Sequence, residues 1–227
     1  MDVGAEVVAG HFTGVQLNMT YPLVYTKNAI GQKEINTDLA NIIYDMKGKY
    51  DSGKYYSAKM DYEVTCENDD IISLGLKTYV VQYPGAVHGF SAYTGLVYNK
   101  NTGERIPLNE YVTIKSAEQI QGALMDGVIS SHNWDMQRNY FFREDMFKVK
   151  KVSSNYVLGS DGSVYLIYQP YSIGPFAFGP YKVRFSPTAI DYFNRIDILF
   201  KCKLSLSVKG RESFCFLSEE TGSRIVM

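Results

Sequence analysis

The sequence predicts an α+β protein in which antiparallel sheet is built from hairpins and about two helices pack on one face. One observation is the strict alternation of apolar and polar residues over residues 56–66, with one apolar side and one charged side. Such alternation is typical of a strand whose sheet has one solvated face, which favours antiparallel pairing. The other is the helical spacing of apolar residues in two segments, 35–46 and 116–132.

Turn and cap residues place the remaining elements between these segments. The first helix has Asn36 or Thr37 available as its N-cap and Gly48 beyond its end, and Ser116 has capping-box spacing to Gln119 in the second. An earlier strand is predicted from residue 15, and Pro22 ends it or marks a sheet edge. Further strands are predicted over residues 71–83, 91–99, near 156, 164–168 and 181–185, with a short helix at 187–193.

Composition narrows the class of protein. The chain has 227 residues, of which 45% are hydrophobic and 21% charged, so it can bury a sizeable core and is not a disordered protein. Lys and Arg number 23 against 24 Asp and Glu, a balance that favours neither nucleic acid nor an anionic membrane as partner. The 19 tyrosines suit strands and binding interfaces, because the ring buries area while the hydroxyl stays solvated.

Composition and motifs do not determine the cellular compartment of the protein. The sequence contains no run of about 18 apolar residues, so it predicts no membrane-spanning segment. The first residues lack a basic start and an apolar stretch, so either the protein is cytoplasmic or an export or anchor segment lies upstream. Three scattered cysteines do not form a disulfide framework. Cys66 is predicted to be a buried free thiol, and pairing of Cys202 with Cys215 stays open.

Catalytic motifs are not found in the sequence. It contains no HExxH, GxSxG or GxxxxGK[ST] pattern, and its three histidines are far apart. Acidic pairs such as Asp69–Asp70 fall in predicted turns, where solvation explains them. We therefore predict no catalytic residue, no metal and no cofactor.

Ligand-binding candidates are aromatic residues and one histidine. His88 lies between glycines, in a loop that starts at Tyr83 and follows a predicted strand. The histidine either faces a ligand or fixes the bend through a backbone hydrogen bond. An aromatic run that includes Tyr171, Phe176 and Phe178 is either a binding platform or part of the core. Trp134, the only tryptophan, is either a binding anchor or a core residue.

Residues 161–179 closely resemble a hallmark of the DUF3298 family, a polar turn and strand followed by P-Y-x-I-x-P-[FY]-A-x-G. Residues 83–89 resemble its Y-x-G-G-A-H-G loop, with Ala86-Val87 where the family usually has Gly-Ala. Residues 101–111 resemble a third family segment. The front half resembles the companion PdaC-like (DUF4163) region. The implied division is 12–100 PdaC-like and 101–194 DUF3298-like, sharing one core, with 195–227 a strand or tail.

The resemblance implies a location outside the bacterial membrane. Such domain pairs form the outer part of lysozyme-sensing anti-sigma factors and the region before the catalytic domain of peptidoglycan deacetylases. The implied function is a non-catalytic extracytoplasmic binding or sensing module for a lysozyme-like protein or a cell-wall glycan such as peptidoglycan. The alternative is an enzyme that modifies envelope polysaccharide, or an accessory domain of a peptidoglycan deacetylase.

Overall fold

Two β-sheets and three α-helices make up the described part of the chain, residues 6–133, 148–173 and 179–195 of a computed structural model. The first sheet has the order β1-β2-β3-β4-β5, with strands β1 Glu6–Gly14, β2 Leu17–Tyr25, β3 Ser57–Glu67, β4 Ile71–Val81 and β5 Phe90–Asn99. The second has the order β6-β9-β8-β7, with β6 Ser130–Asn133, β7 Tyr156–Leu158, β8 Val164–Tyr168 and β9 Tyr181–Phe185. The helices are α1 Ala29–Asp51, α2 Ala117–Met125 and α3, described over 187–195. The predicted α+β class is confirmed.

One strand pair departs from the predicted antiparallel arrangement. β2 and β3 run parallel, with Leu17–Met19 opposite Ala58–Met60, because α1 carries the chain back across the first sheet between them. β1 was not predicted, since most of its residues are exposed and its apolar residues do not alternate cleanly. Pro22 lies within β2, opposite Ala9 of β1. The pairing of β2 with β3 ends before this residue, so the missing N–H of Pro22 removes no hydrogen bond between β2 and β3.

The start of α1 corrects the predicted cap. Asn28 is the N-cap, and its side chain accepts hydrogen bonds from the backbone N–H groups of Ile30 and Gly31. Asn36 lies inside the helix, where its amide bonds both the N–H and the carbonyl of Val24 at 2.9 and 2.7 Å. Gly48 also lies within the helix. The predicted apolar face is confirmed: Ile35, Leu39, Ile43 and Met46 are buried against the first sheet.

The second helix is shorter than predicted, although its predicted N-cap, Ser116, is confirmed. It ends at Met125 because Gly127 adopts φ 69°, while Val128 N–H bonds Ala123 O and Gly127 N–H bonds Leu124 O. This pattern is a Schellman motif, which stops a helix by satisfying its last carbonyls. Residues 130–133 then form β6, so His132 belongs to a strand.

The sheets meet along β5, whose outer edge is closed by side-chain amides. Asn155 accepts from Gly95 N–H at 2.7 Å and donates to Tyr93 O at 2.7 Å. Gln169 accepts from Tyr93 N–H at 3.1 Å and donates to the same carbonyl at 2.6 Å. The two amides act as a substitute for a neighbouring strand, and they join the second sheet to the edge of the first.

A β-bulge in β3 changes which way its side chains point. The register with β4 shifts between Val64 and Cys66, leaving Val64 42% exposed although its place in the alternation predicts burial. Cys66 then packs against the core of the second sheet. Its thiol is free, as predicted, but half-buried rather than buried, and burial raises its pKa.

Several expectations concern residues outside the described ranges. Cys202, Cys215 and the tail from 196 onward fall there. The division of the chain at residues 100 and 101 falls just after β5 and stays a prediction. In the described part of the chain, no helix combines the length and apolar character needed to cross a bilayer.

Candidate functional site

Two of the predicted binding residues lie in the exposed loop between β4 and β5. Tyr83 is 62% exposed, and His88 is exposed with its ring edge-on to Phe90, the centroids 6.2 Å apart. His88 lines neither of the two grooves described below. The loop is anchored by Gly89, whose N–H donates to the Tyr79 hydroxyl at 3.0 Å.

An exposed ring contributes little to the core, so we expect His88→Ala to lower the free energy of unfolding by less than about 1 kcal/mol. The comparison variant is Ile72→Ala, since Ile72 is fully buried in the first sheet. Its expected loss is about 2–5 kcal/mol. Equilibrium urea denaturation measures both. A loss for His88→Ala close to that of Ile72→Ala would show that the histidine supports the core.

The predicted aromatic run divides between core and surface. Tyr168 and Tyr181 are buried in the second core, as the core interpretation requires. Tyr171 is 67% exposed and has a positive φ of 67°, which is uncommon for a residue with a side chain. Trp134, Phe176 and Phe178 lie outside the described residues. Tyr171 lies in neither groove.

Four tyrosines converge at one end of the first sheet and line an open groove of about 650 Å³. We call this the tyrosine groove. Its rings come from the end of α1, the α1–β3 connection and the residue two positions after β4, and the groove is completed by small or polar residues. The lining residues are Val15, Gln16, Tyr50, Asp51, Gly53, Tyr55, Tyr56, Gln82, Tyr83 and Pro84.

Backbone hydrogen bonds fix the segment that carries these rings. Gly53, at φ 74°, turns the chain after α1. Tyr55 N–H then donates to Lys49 O at 3.0 Å, and Tyr56 N–H donates to Val81 O at 2.8 Å. Consecutive tyrosines are therefore held between the helix end and the end of β4, beside Tyr83.

The rings in the tyrosine groove differ in burial. Tyr50 and Tyr55 pack partly against the core beneath α1, whereas Tyr56 and Tyr83 are 43% and 62% exposed. The groove thus offers aromatic faces to a ligand together with the amides of Gln16 and Gln82. Such a combination of apolar faces and a few hydrogen-bonding groups is typical of small-ligand sites.

A second groove, of about 570 Å³, lies on the polar face of the first sheet, with Gly179 and Pro180 of the second-sheet region forming one side. We call it the sheet groove. Strand register sets its floor, because residues opposite each other on one face form rows across the sheet. One row contains Asn18, Lys59, Tyr79 and Ser91, and the next contains Asp61, Lys77 and Tyr93.

A charged cluster lies beside the sheet groove, centred on Glu63. Its Oε1 accepts from the Tyr93 hydroxyl at 2.6 Å and from Lys182 Nζ at 3.3 Å, and its Oε2 pairs with Lys77 Nζ at 3.1 Å. Gly75 makes the arrangement possible, since a Cβ there would lie 1.6 Å from the Tyr93 hydroxyl. The cluster joins β3, β4 and β5 to β9 of the second sheet.

The pKa values of the cluster follow from burial and charge. Burial alone raises the pKa of Glu63, but the Tyr93 hydroxyl and the two ammonium groups outweigh it and leave that pKa below its usual value. Burial lowers the pKa of Lys182, and the attraction of Glu63 offsets this only in part. Burial and the bond to Glu63 raise the pKa of Tyr93, so its hydroxyl stays protonated and donates.

Sequence reasoning found only Tyr83 among the groove residues. A usable signal was the cluster Tyr50, Tyr55 and Tyr56 around Gly53, where aromatics surround a turn. The charged residues of the sheet groove carry no such signal, because Lys and Glu alternate on the polar side of any exposed strand. In residues 6–133, 148–173 and 179–195, no three His, Cys, Asp or Glu side chains converge as a metal site would require.

The chain has a two-sheet α+β fold, and this fold resembles that of solved proteins of the DUF3298 family. A DUF3298 family member from Bacteroides fragilis matches with a TM-score of 0.54 at 13% identity, covering 83% of this chain and 92% of its own. A DUF3298 family protein from Pseudomonas aeruginosa matches with a TM-score of 0.53 at 15% identity, covering 84% and 94%. No family model and no curated protein matches the sequence. The similarity of fold supports the DUF3298 part of the resemblance read from the sequence.

Proposed function

We propose that this protein is a non-catalytic extracytoplasmic binding module that holds a cell-wall glycan in the tyrosine groove. The observation that carries the proposal is the convergence of four tyrosines with amide and carboxylate side chains in one groove. The location outside the membrane rests on the sequence resemblance to DUF3298 and PdaC-like regions.

Carbohydrate chemistry suits this lining. A sugar ring presents C–H groups on one face, which pack on an aromatic ring, and hydroxyls at its edge, which need hydrogen-bonding partners. Tyr56 and Tyr83 supply accessible rings, while Gln16, Asp51 and Gln82 supply donors and acceptors. The volume of about 650 Å³ is in the range of small-ligand sites.

A glycan fits the groove better than a protein partner. A stable protein interface needs roughly 800 Å² on each partner, with a well-packed apolar centre. Here the exposed rings are gathered at one concave end of the first sheet, which suits a short stretch of polymer. Lysozyme is therefore included in the test as the competing ligand.

The test is a set of separate titrations of the ¹⁵N-labelled protein with N-acetylglucosamine oligomers, with soluble peptidoglycan fragments and with lysozyme. We expect saturable shifts at the groove and at least a tenfold loss of affinity in Tyr83→Ala, because removal of an anchoring ring costs more than about 1.4 kcal/mol. Tyr44→Ala is the matched control. The exposed fraction of Tyr44, 61%, is nearly that of Tyr83, but Tyr44 lies on α1 outside the groove. Tyr83→Phe separates stacking from hydroxyl bonding.

Two results would overturn the proposal. One is the absence of saturable glycan binding in the unmodified protein. The other is equal affinity for glycan in Tyr83→Ala, Tyr56→Ala and Tyr44→Ala. Binding of lysozyme without binding of any glycan would favour the protein ligand instead.

A further inference from the structure

The sheet groove has an excess of positive charge among its described residues. Lys59, Lys77 and Asp61 line it, and Lys182 and Glu63 belong to the charged cluster beside it. Three ammonium groups therefore face two carboxylates. The imbalance is partly shielded from water because Lys182 is only 9% exposed, so its field is screened less than that of a surface lysine.

Lys77 is the cation best placed to meet a ligand. It stands in the second of the two rows of the floor, between Asp61 on β3 and Tyr93 on β5. Its Nζ lies 3.1 Å from Glu63 Oε2, yet its side chain is 41% exposed and lines the groove. The ammonium group is thus held in place from one side while another side borders the groove.

Glu63 does not fully neutralise Lys77. The same carboxylate also accepts from Lys182 and from the Tyr93 hydroxyl, so its charge is shared between two cations and a third donor. Of the two ion pairs that Glu63 makes, the pair with Lys182 is more buried than the pair with Lys77, since the Lys182 side chain is only 11% exposed. Among the described residues the three lysines outnumber Asp61 and Glu63 by one charge, which favours an anion near Lys77.

Uncharged hydrogen-bonding groups surround this position. The groove is lined by hydroxyl and amide side chains from three strands, which are Asn18 and Thr20 of β2, Thr78 and Tyr79 of β4, and Ser91 of β5. A volume of about 570 Å³ accommodates a small organic molecule. An excess of one positive charge matches a singly charged carboxylate better than a phosphate ester, which carries about −1.5 to −2 at neutral pH.

From these contacts we infer that the sheet groove is a second binding site, which takes a small organic carboxylate with Lys77 as its counter-ion. The hydroxyl and amide groups of the floor bond the rest of the ligand. The carboxylate belongs to a sugar acid or to the end of a short peptide, and the site is independent of the tyrosine groove.

The experiment titrates the ¹⁵N-labelled protein with glucuronate, with N-acetylalanine and with glucose as the uncharged control, at fixed ionic strength. We expect saturable shifts in the groove residues with the two carboxylates and none with glucose. Lys77→Met should weaken carboxylate binding at least tenfold, whereas Lys33→Met, on the exposed face of α1, should leave it unchanged. Preference for glucuronate or N-acetylalanine identifies the source of the carboxylate.

Lys77→Gln is the second variant, because glutamine keeps a hydrogen bond to Glu63 and so preserves the fold if the methionine does not. The inference is overturned if neither carboxylate gives saturable shifts, if glucose binds equally well, or if both Lys77 variants bind with unchanged affinity. Tyr83→Ala separates the two sites, since it should weaken glycan binding in the tyrosine groove at least tenfold and leave carboxylate binding here intact.

Discussion

Gly95→Ala should lower the free energy of unfolding by about 3 kcal/mol, because it forces a methyl group into the junction of the two sheets. A Cβ at this position would lie 2.1 Å from the Tyr156 carbonyl oxygen and 2.5 Å from its carbon. Both are backbone atoms of β7, which is held by its pairing with β8, so no side chain can swing away. The shift would also strain the bond from Gly95 N–H to Asn155.

The matched control is Gly48→Ala in α1, where the added methyl group meets no atom within 4 Å. In a helix interior alanine is favoured over glycine, and the gain is about 0.5–1 kcal/mol. Equilibrium denaturation followed by circular dichroism measures both variants. If Gly95→Ala lies within about 1 kcal/mol of the unmodified protein, the close approach of β5 and β7 is wrong.

The second large effect is expected from Glu63→Ala, with a loss of about 2–3 kcal/mol. It removes the carboxylate that Lys182, Lys77 and Tyr93 share, and it leaves the ammonium group of Lys182 nearly buried beside aromatic rings. This expected loss of stability is smaller than the loss from breaking a fully buried ion pair, because the Glu63 side chain is 33% exposed and water screens its charge.

A double variant separates the lost partner from the lost packing. In Glu63→Ala/Lys182→Met an apolar side chain replaces the uncompensated cation, so part of the lost stability should return. Asp45→Ala is the surface control, because Asp45 pairs with Lys49 on the exposed side of α1 and such pairs contribute about 0.5 kcal/mol or less. Failure of the double variant to recover any stability would contradict the role of Glu63 as counter-ion to Lys182.

The pH dependence follows from the lowered pKa of Glu63. A carboxylate whose pKa is lower in the folded state stabilises the fold above its ordinary pKa of 4.5, and this stabilisation is lost as the pH falls through the folded value. Glu63→Ala lacks this contribution. The difference in unfolding free energy between the unmodified protein and the variant should therefore be largest near neutral pH and shrink below pH 4.5. A difference that stays constant would contradict the proposed ionised cluster.

Local patterns predicted many of the elements well, and their failures have local causes. The alternation in β3 predicted a strand, but the bulge after Val64 exposed one residue that the pattern places inside. The helical period continued past Met125, yet the positive φ of Gly127 ended the helix. Each failure follows from one backbone irregularity that a periodic pattern does not record.

The candidate site was much harder to predict. Tyr83 was identified because it lies in a loop with an unusual sequence, whereas Tyr50 and Lys77 lie on regular elements with ordinary periodicity. Their importance comes from neighbours on other elements. Lys182 reaches Glu63 from 119 positions away along the chain, a distance that no motif spans.

The sequence by itself determined the α+β class and the apolar faces of α1 and of β3 near Met60, because these depend on residues a few positions apart. Only the tertiary structure decided the parallel pairing of β2 with β3, the closure of the β5 edge and both grooves. The reason is physical: Asn155 and Gln169 meet β5 across 60 and 76 positions, and contacts at such separations depend on how whole sheets pack rather than on local preference.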